Sequence, residues 1–466
     1  MRRLRVSEHV PSILVASLGA AFGVSLLQLA GVMSSVIVAD DVTGSSGMVR
    51  VMLAAVAIVF IAIAIYVSAI VTANTFATII AGRTRTIALL RLIGSSAATQ
   101  RRAVAWEGLQ VGVVGAVVGT VTGTVVSLGV VAVGRATDFL PALDYGFAPP
   151  VIALPVVAVV LTTWLASWIG SRRVLTVSPI QATGASQEES LEQASGHRAR
   201  NVVAAVLVVT GLGALVLAVV VGLVSPFGVL IGVVGGLLSF SGFILGAQAV
   251  MPRVLRWVGR AFGSSAPARL AAQNAVRYPE RSTRTTIGLV IGVTLITMFA
   301  VAVESFQGLM RRLQEGQPGG QEQTDQVLVI IVAVFSILTG FSALIAAVGM
   351  VNNLSLGVLQ RTRELGLLRA LGFTARQVRR MILIESASLT VAAVLVGLVL
   401  GTFYGWVGAQ SLLGSATAGG GVLPPAVPVP LLVAVALAAA VLTLVASVTP
   451  SRRATRIAPV AALAVT

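Results

Sequence analysis

The sequence predicts an all-α integral membrane protein with about ten transmembrane helices, on three observations. Hydrophobic residues make up 56% of the 466 residues, charged residues only 10%, and mean hydropathy is +0.98; a soluble domain carries about 25% charged residues. Several apolar stretches exceed the roughly 20 residues that cross a bilayer as a helix. The basic residues are concentrated in short segments between those stretches, the pattern that sets membrane orientation.

The expected spans lie near 12–38, 50–80, 104–133, 150–170, 202–223, 227–250, 286–305, 326–355, 382–411 and 428–449. The first exceeds the roughly 7–15-residue apolar core of a cleaved signal, so it reads as a retained span. A Ser225-Pro226 turn joins the fifth and sixth spans into a helical hairpin. Glycine is abundant at 48 residues, which suits close helix contact at pairs such as Gly115 and Gly119.

Ten spans place both termini on one side of the membrane, and arginine chooses the side. With the N-terminus cytoplasmic, 28 of the 32 basic residues fall inside, and only Arg50, Arg135, Arg311 and Arg312 fall outside. Both termini are therefore expected on the cytoplasmic side of a cell membrane. The formal net charge of +16 thus reports topology, not nucleic-acid binding. The exterior loops, 134–149, 306–325 and 412–427, are too short for a folded domain. Their acids, Asp138 and Asp144 among them, read as solvated. The polar segments 171–201 and 251–285 read as surface or interfacial helices on the inner side.

Several chemistries are excluded. With no cysteine, disulfides and thiolate metal sites are impossible. All 32 basic residues are arginine, so the lysine of a phosphate-binding loop is missing. His9 and His197 lie in polar segments as solvated residues, and no metal cluster or nucleophile triad is visible.

The most informative feature is an internal repeat. Arg83-Thr-Arg-Thr-Ile-Ala-Leu-Leu-Arg-Leu-Ile-Gly94 aligns with Arg361-Thr-Arg-Glu-Leu-Gly-Leu-Leu-Arg-Ala-Leu-Gly372 at an offset of 278. The match continues through Arg101-Arg102 and Arg379-Arg380 to Glu107 and Glu385, with 11 of 25 positions identical. Asn74 pairs with Asn352 upstream, and Gly119 and Gly123 with Gly397 and Gly401 downstream. At an offset of 280, Ser171-Arg-Arg173 matches Ser451-Arg-Arg453. Each copy follows an even-numbered span on the inner side, so the halves are parallel repeats about an axis along the membrane normal. The expected organisation is 1–183 as the first four-span repeat, 184–265 as a linker with the hairpin, and 266–466 as the second repeat.

The repeated motif reads as a short amphipathic helix. Ile87, Leu90 and Ile93, or Leu365, Leu368 and Leu371, form its apolar stripe, and Gly94 or Gly372 closes it. Glu107 and Glu385 lie about one turn into their spans. An intramembrane carboxylate is a functional candidate; the simpler reading is an interfacial carboxylate beside Arg102 or Arg380. Asn74 and Asn352 suit hydrogen bonds between helices.

The motif order resembles the FtsX-like permease family, the membrane subunits of certain ATP-driven (ABC) transporters, including macrolide-exporter, lipoprotein-releasing and antimicrobial-peptide-resistance permeases. The order is Asn, Arg-x-Arg-Glu-Leu-Gly-Leu-Leu-Arg-Ala-Leu-Gly, Arg-Arg, then Glu opening a span. The resemblance covers roughly 50–183 and 266–466. It implies that Arg83–Gly94 and Arg361–Gly372 are coupling helices that dock a cytoplasmic ABC ATPase, two copies per chain. The coupling residues it implies are Arg83, Arg85, Leu89, Leu90, Arg91 and Gly94, and Arg361, Arg363, Glu364, Leu367, Leu368, Arg369 and Gly372. It implies no directly bound cofactor, with ATP and Mg held by the partner. It also implies an elbow helix in 266–285. Two departures stand out: Thr86 replaces the acid found at Glu364, and neither half has the large exterior domain of many members. The implied function is export of an amphipathic, lipid-like, drug or peptide cargo from the bilayer. Two other readings are ATPase-driven mechanotransmission, for which the exterior loops offer little to move, and secondary transport, which needs midplane ionisable groups that these spans lack.

Overall fold

In the computed structural model the chain is an all-α, multi-pass membrane protein. The structure describes residues 6–39, 93–138, 140–147, 150–171, 198–261, 265–277, 279–314, 367–417 and 421–456, with scattered residues between 58 and 90 and residue 340. Nine long helices run through them: α1 (Val6–Ala39), α2 (Ala97–Ala136), α3 (Ala153–Gly170), α4 (Arg198–Gly222), α5 (Gly228–Arg260), α6 (Ala266–Arg277), α7 (Pro279–Gln314), α8 (Ala375–Leu413) and α9 (Val429–Arg456). Among the described residues no strand occurs, and seven helices are long and apolar enough to cross a membrane. In α9 the apolar stretch is shorter, Val429–Leu444. The expected spans near 50–80 and 326–355 lie largely outside the described residues.

Helix lengths exceed the bilayer. At about 1.5 Å per residue, the 40-residue α2 and 39-residue α8 reach about 60 Å, against a hydrocarbon core of about 30 Å. Both therefore project beyond it. One turn into them come Arg101-Arg102 and Arg379-Arg380, which the hydropathy pattern alone places ahead of the spans.

The two halves use the same packing. In the first, α2 packs on α1 and on α3; in the second, α8 packs on α7 and on α9. The contact is close because the repeated glycines face it. A Cβ on Gly119 would lie 2.3 Å from the Ser17 carbonyl oxygen, and one on Gly401 2.6 Å from the Thr294 carbonyl oxygen. Any larger side chain would push the helices apart, so glycine sets the spacing. Ser25 Oγ reinforces the first pair by donating to the Gly123 carbonyl at 3.0 Å.

The α4–α5 hairpin lies against the second half, with α4 on α8 and α5 on α6, α7 and α8. One core cluster joins α1 (Phe22, Leu26), Ile61 and Val67, α5 (Phe240, Met251, Leu255), α7 (Ile291, Phe299) and α8 (Leu389). Helix α5 is thus central to the contact between halves. Helix α5 also runs ten residues past the expected end of its span, to Arg260. Leu255, Val258 and Gly259 are buried there, and Gly259 meets Ala272 of α6. The 134–149 loop folds back: Leu140 and Tyr145 are buried against Val32 and Val131, while Asp138 and Asp144 are exposed as expected.

Candidate functional site

The two copies of the repeated motif end in matching helical corners. In the first, the Ile93 amide donates to the Leu89 carbonyl at 3.2 Å and the Ser95 amide to the Leu90 carbonyl at 3.0 Å. In the second, the Leu371 amide donates to Leu367 at 2.9 Å and the Phe373 amide to Leu368 at 3.0 Å. The last carbonyls of each turn are satisfied by amides wrapping back past a left-handed residue. That residue is Gly94 at φ +96 and Gly372 at φ +100. A Cβ is strained in this region, so glycine is the residue that fits.

Two residues after each glycine comes the cap of the next helix. Ser96 caps α2, accepting from the Thr99 amide at 3.1 Å. Thr374 caps α8, accepting from the Gln377 amide at 3.2 Å, while Gln377 Oε1 accepts from the Thr374 amide at 2.8 Å. The second corner therefore has a complete capping box, worth on the order of 1 kcal/mol. Each corner is fixed on both sides, by glycine before it and a hydroxyl after it.

The corners sort their apolar residues. Leu368 packs with Leu270, Phe373 and the buried Ala271, Val378, Met381 and Ile382, tying the corner to α6 and α8. Leu89 and Leu367 are 50% and 51% exposed, and Ile93 and Leu371 are 81% and 72% exposed. The periodic pattern puts Ile93 and Leu371 in one stripe with Leu90 and Leu368. The structure separates them, because the helix ends at the glycine and its last apolar residue faces outward. Each corner thus presents a pair of exposed aliphatic side chains, with an exposed arginine one turn or so into the following helix, Arg102 or Arg379 and Arg380.

Arg101 is half-buried, its guanidinium 4.0 Å from the centroid of the Trp168 ring on α3. This cation–π contact ties the start of α2 to the end of α3. Glu107 is half-buried on α2, and Glu385 is 8% exposed on α8. Both carboxylates and Arg369 have interaction partners. Asn74, Arg83, Arg85, Arg91, Asn352, Arg361, Arg363 and Glu364 lie outside the described residues. Among the described residues no group of His, Asp or Glu could hold a metal ion.

One cluster escapes sequence reasoning. On α5, Ser239, Phe240 and Ser241 meet a tyrosine from each half. The Tyr66 hydroxyl donates to the Leu237 carbonyl at 3.2 Å and lies 2.7 Å from Ser241 Oγ. The Tyr404 hydroxyl lies 2.9 Å from Ser239 Oγ. Both rings pack edge-on against Phe240, with centroids 6.4 and 6.1 Å away. The available signal is a Ser-Phe-Ser triplet inside an otherwise aliphatic and glycine-rich span.

The model of the FtsX-like permease C-terminal family matches the chain twice, over residues 58–179 and 336–459. The two ranges begin 278 and end 280 residues apart, the offsets of the internal repeat. Two curated relatives are ABC transporter permeases of Bacillus subtilis (strain 168). The uncharacterized ABC transporter permease YknZ is 36% identical over 76 residues, 16% of this chain and 19% of that protein. The ABC transporter permease YtrF is 32% identical over 59 residues, 13% of this chain and 14% of that protein. Each similarity therefore spans less than a fifth of the relative's length.

Proposed function

The chain belongs to the FtsX-like permease family, and from that we propose that it is the membrane subunit of an ABC transporter exporting an amphipathic, lipid-like, drug or peptide cargo. A separate cytoplasmic ATPase binds ATP and Mg and hydrolyses the nucleotide, one copy on each half. The observation that carries this reading is the duplicated corner. Each presents an exposed aliphatic pair on a rigid, glycine-closed turn continuous with a helix that enters the membrane. Exposed apolar side chains on a rigid element suit burial in a partner's groove, and the following helix would carry the partner's motion into the bundle.

The residues assigned to coupling are Arg83, Arg85, Leu89, Leu90, Arg91 and Gly94 with Arg361, Arg363, Glu364, Leu367, Leu368, Arg369 and Gly372. In this assignment Leu89 and Leu367 supply apolar contact to the ATPase, Leu368 holds its corner against α6 and α8, and the arginines meet acidic groups on the ATPase. The 28-to-4 distribution of arginine supports placing these corners and both termini in the cytoplasm of a bacterial cell. The short exterior loops favour cargo taken from within the bilayer.

The test is reconstitution in proteoliposomes. The chain alone should show no ATP hydrolysis, and hydrolysis should appear with its nucleotide-binding subunit and rise when cargo is supplied. Hydrolysis by a verified ATPase-free preparation would refute the division of labour. Failure of any ATPase to associate with the intact chain in its native membrane would refute the transporter reading.

A further inference from the structure

We propose that the outward face of the α5 extension, Arg253, Arg256, Trp257 and Arg260 with Arg198 beside it, is a binding surface for anionic phospholipid headgroups in the leaflet on the coupling-corner side. The proposal takes the family membership as given and does not depend on cargo or on ATPase docking.

The face is defined by spacing and burial. Residues 253, 256, 257 and 260 follow i, i+3, i+4, i+7 and share one side of a helix. All four are exposed, Trp257 at 68%, while Met251, Pro252, Leu255, Val258 and Gly259 on the other side are buried. Since Gly259 packs on Ala272 of α6, the helix cannot rotate to hide its arginines without breaking that contact.

The hairpin register brings more charge alongside. Gly211 meets Ser239, and Gly246 meets Ala204. Continued down the antiparallel pair, this register sets Arg198 and Arg200 abreast of the 250–253 turn. Between residues 198 and 277 there are seven arginines and no aspartate or glutamate. No carboxylate from the hairpin, from α6 or from the segment joining them can neutralise this surface.

Depth points to the occupant. The apolar part of α5 ends at Val250, after about 30 Å counted from Leu230 at about 1.5 Å per residue. Arg253 then falls about 5 Å past the hydrocarbon edge, in the headgroup layer. Arg256 and Arg260 lie within roughly a further Debye length, and arginine can extend its guanidinium back toward the phosphates. An exposed tryptophan among arginines at this depth matches the aromatic and basic anchoring of membrane helices at the interface. The phosphodiester anion is the matching ligand, since a guanidinium can donate two parallel hydrogen bonds to it.

The test uses the full chain in nanodiscs. One set contains phosphatidylcholine alone, and the other contains phosphatidylcholine with phosphatidylglycerol. Lipid retained after transfer to detergent is measured by native mass spectrometry. The wild-type chain should retain phosphatidylglycerol in preference to phosphatidylcholine. Each arginine replaced by glutamine should reduce that preference about fivefold, and Arg253→Gln with Arg256→Gln and Arg260→Gln on the order of a hundredfold. Arg311→Gln with Arg312→Gln, an exposed pair at the opposite end of α7, should leave it unchanged. Unfolding temperature in phosphatidylcholine confirms that the triple variant folds; if it does not, the single variant Arg256→Gln carries the test. Undiminished preference in the variants overturns the proposal. So does a variant that keeps its phosphatidylglycerol but loses the co-purifying ATPase, since the face would then be a protein-docking surface.

Discussion

Replacing Leu367 and Leu371 together by alanine should weaken ATPase binding to the second corner. Fully burying a leucine contributes about 1.5–3 kcal/mol. About half of Leu367 and nearly three quarters of Leu371 remain accessible in the isolated chain. Covering both would therefore contribute about 2–4 kcal/mol. Alanine retains part of the contact, which leaves an expected loss of about 1–3 kcal/mol, or roughly 5- to 150-fold in affinity. Leu89→Ala with Ile93→Ala should cost a similar amount at the first corner. Because all four side chains point outward while Leu368 holds the second corner in place, the chain should fold normally. The assay is the dissociation rate of the purified ATPase from the chain in nanodiscs, since interface truncations act mainly there. Unchanged dissociation for both pairs would refute docking through the aliphatic tips. A loss confined to one pair would refute the two-copy stoichiometry.

Three further outcomes follow from the packing and the sequence. Gly401→Ala should destabilise the solubilised chain by about 1–3 kcal/mol in thermal unfolding, because the new Cβ would meet Thr297 Cβ at 2.5 Å; Gly408→Ala, with nothing within 4 Å, should be neutral or stabilising by up to about 1 kcal/mol. Tyr66→Phe and Tyr404→Phe should each cost about 0.5–1.5 kcal/mol in the same assay, and a double variant should be non-additive if Phe240 couples the two rings. Glu364→Ala should reduce ATPase-coupled transport far more than Thr86→Ala if the carboxylate meets the partner as a desolvated charge, a loss of about 2–5 kcal/mol; an effect below about 1 kcal/mol would reduce it to a helix-dipole contribution.

The corners were the most legible part of the molecule, because the same residues recur in the same order and glycine has one obvious use at a helix end. Gly94 and Gly372 take the left-handed conformation that their position implied. The direction of Ile93 and Leu371 was not legible. A helical wheel assumes that the helix continues, and these residues sit where it stops. Gly119 and Gly401 could be read as close-contact residues, but the contacted helix depends on tertiary arrangement, and in each half it is the first membrane-spanning helix of that half. Hydropathy ends the sixth span near residue 250, yet α5 continues because Leu255 and Val258 are buried in the central core and Gly259 meets Ala272 of α6, which a window average cannot register. The Tyr66 and Tyr404 hydroxyls find their partners across more than 160 residues of sequence, beyond the reach of any local pattern.

The hairpin shows where the two-fold resemblance of the halves stops. On α8, Gly222 of α4 lies against Ser411, and Tyr404 reaches Ser239 of α5. The residues 278 positions earlier on α2 are Val133 and Val126. Val133 is 64% exposed, a branched aliphatic side chain suited to lipid and lacking a hydroxyl. A second hairpin could not seat there in the same way, because neither the small-residue approach nor the tyrosine hydrogen bond has an equivalent. The asymmetry is therefore written into α2 and α8 themselves, not imposed by the single linker. It places α5 between Tyr66 of the first half and Tyr404 of the second, while the corners that face the proposed ATPase each keep a closing glycine, a hydroxyl cap and a pair of aliphatic tips. Motion delivered equally at the two corners would then meet an unequal bundle, with the hairpin moving with α8 and held to the first half through Tyr66.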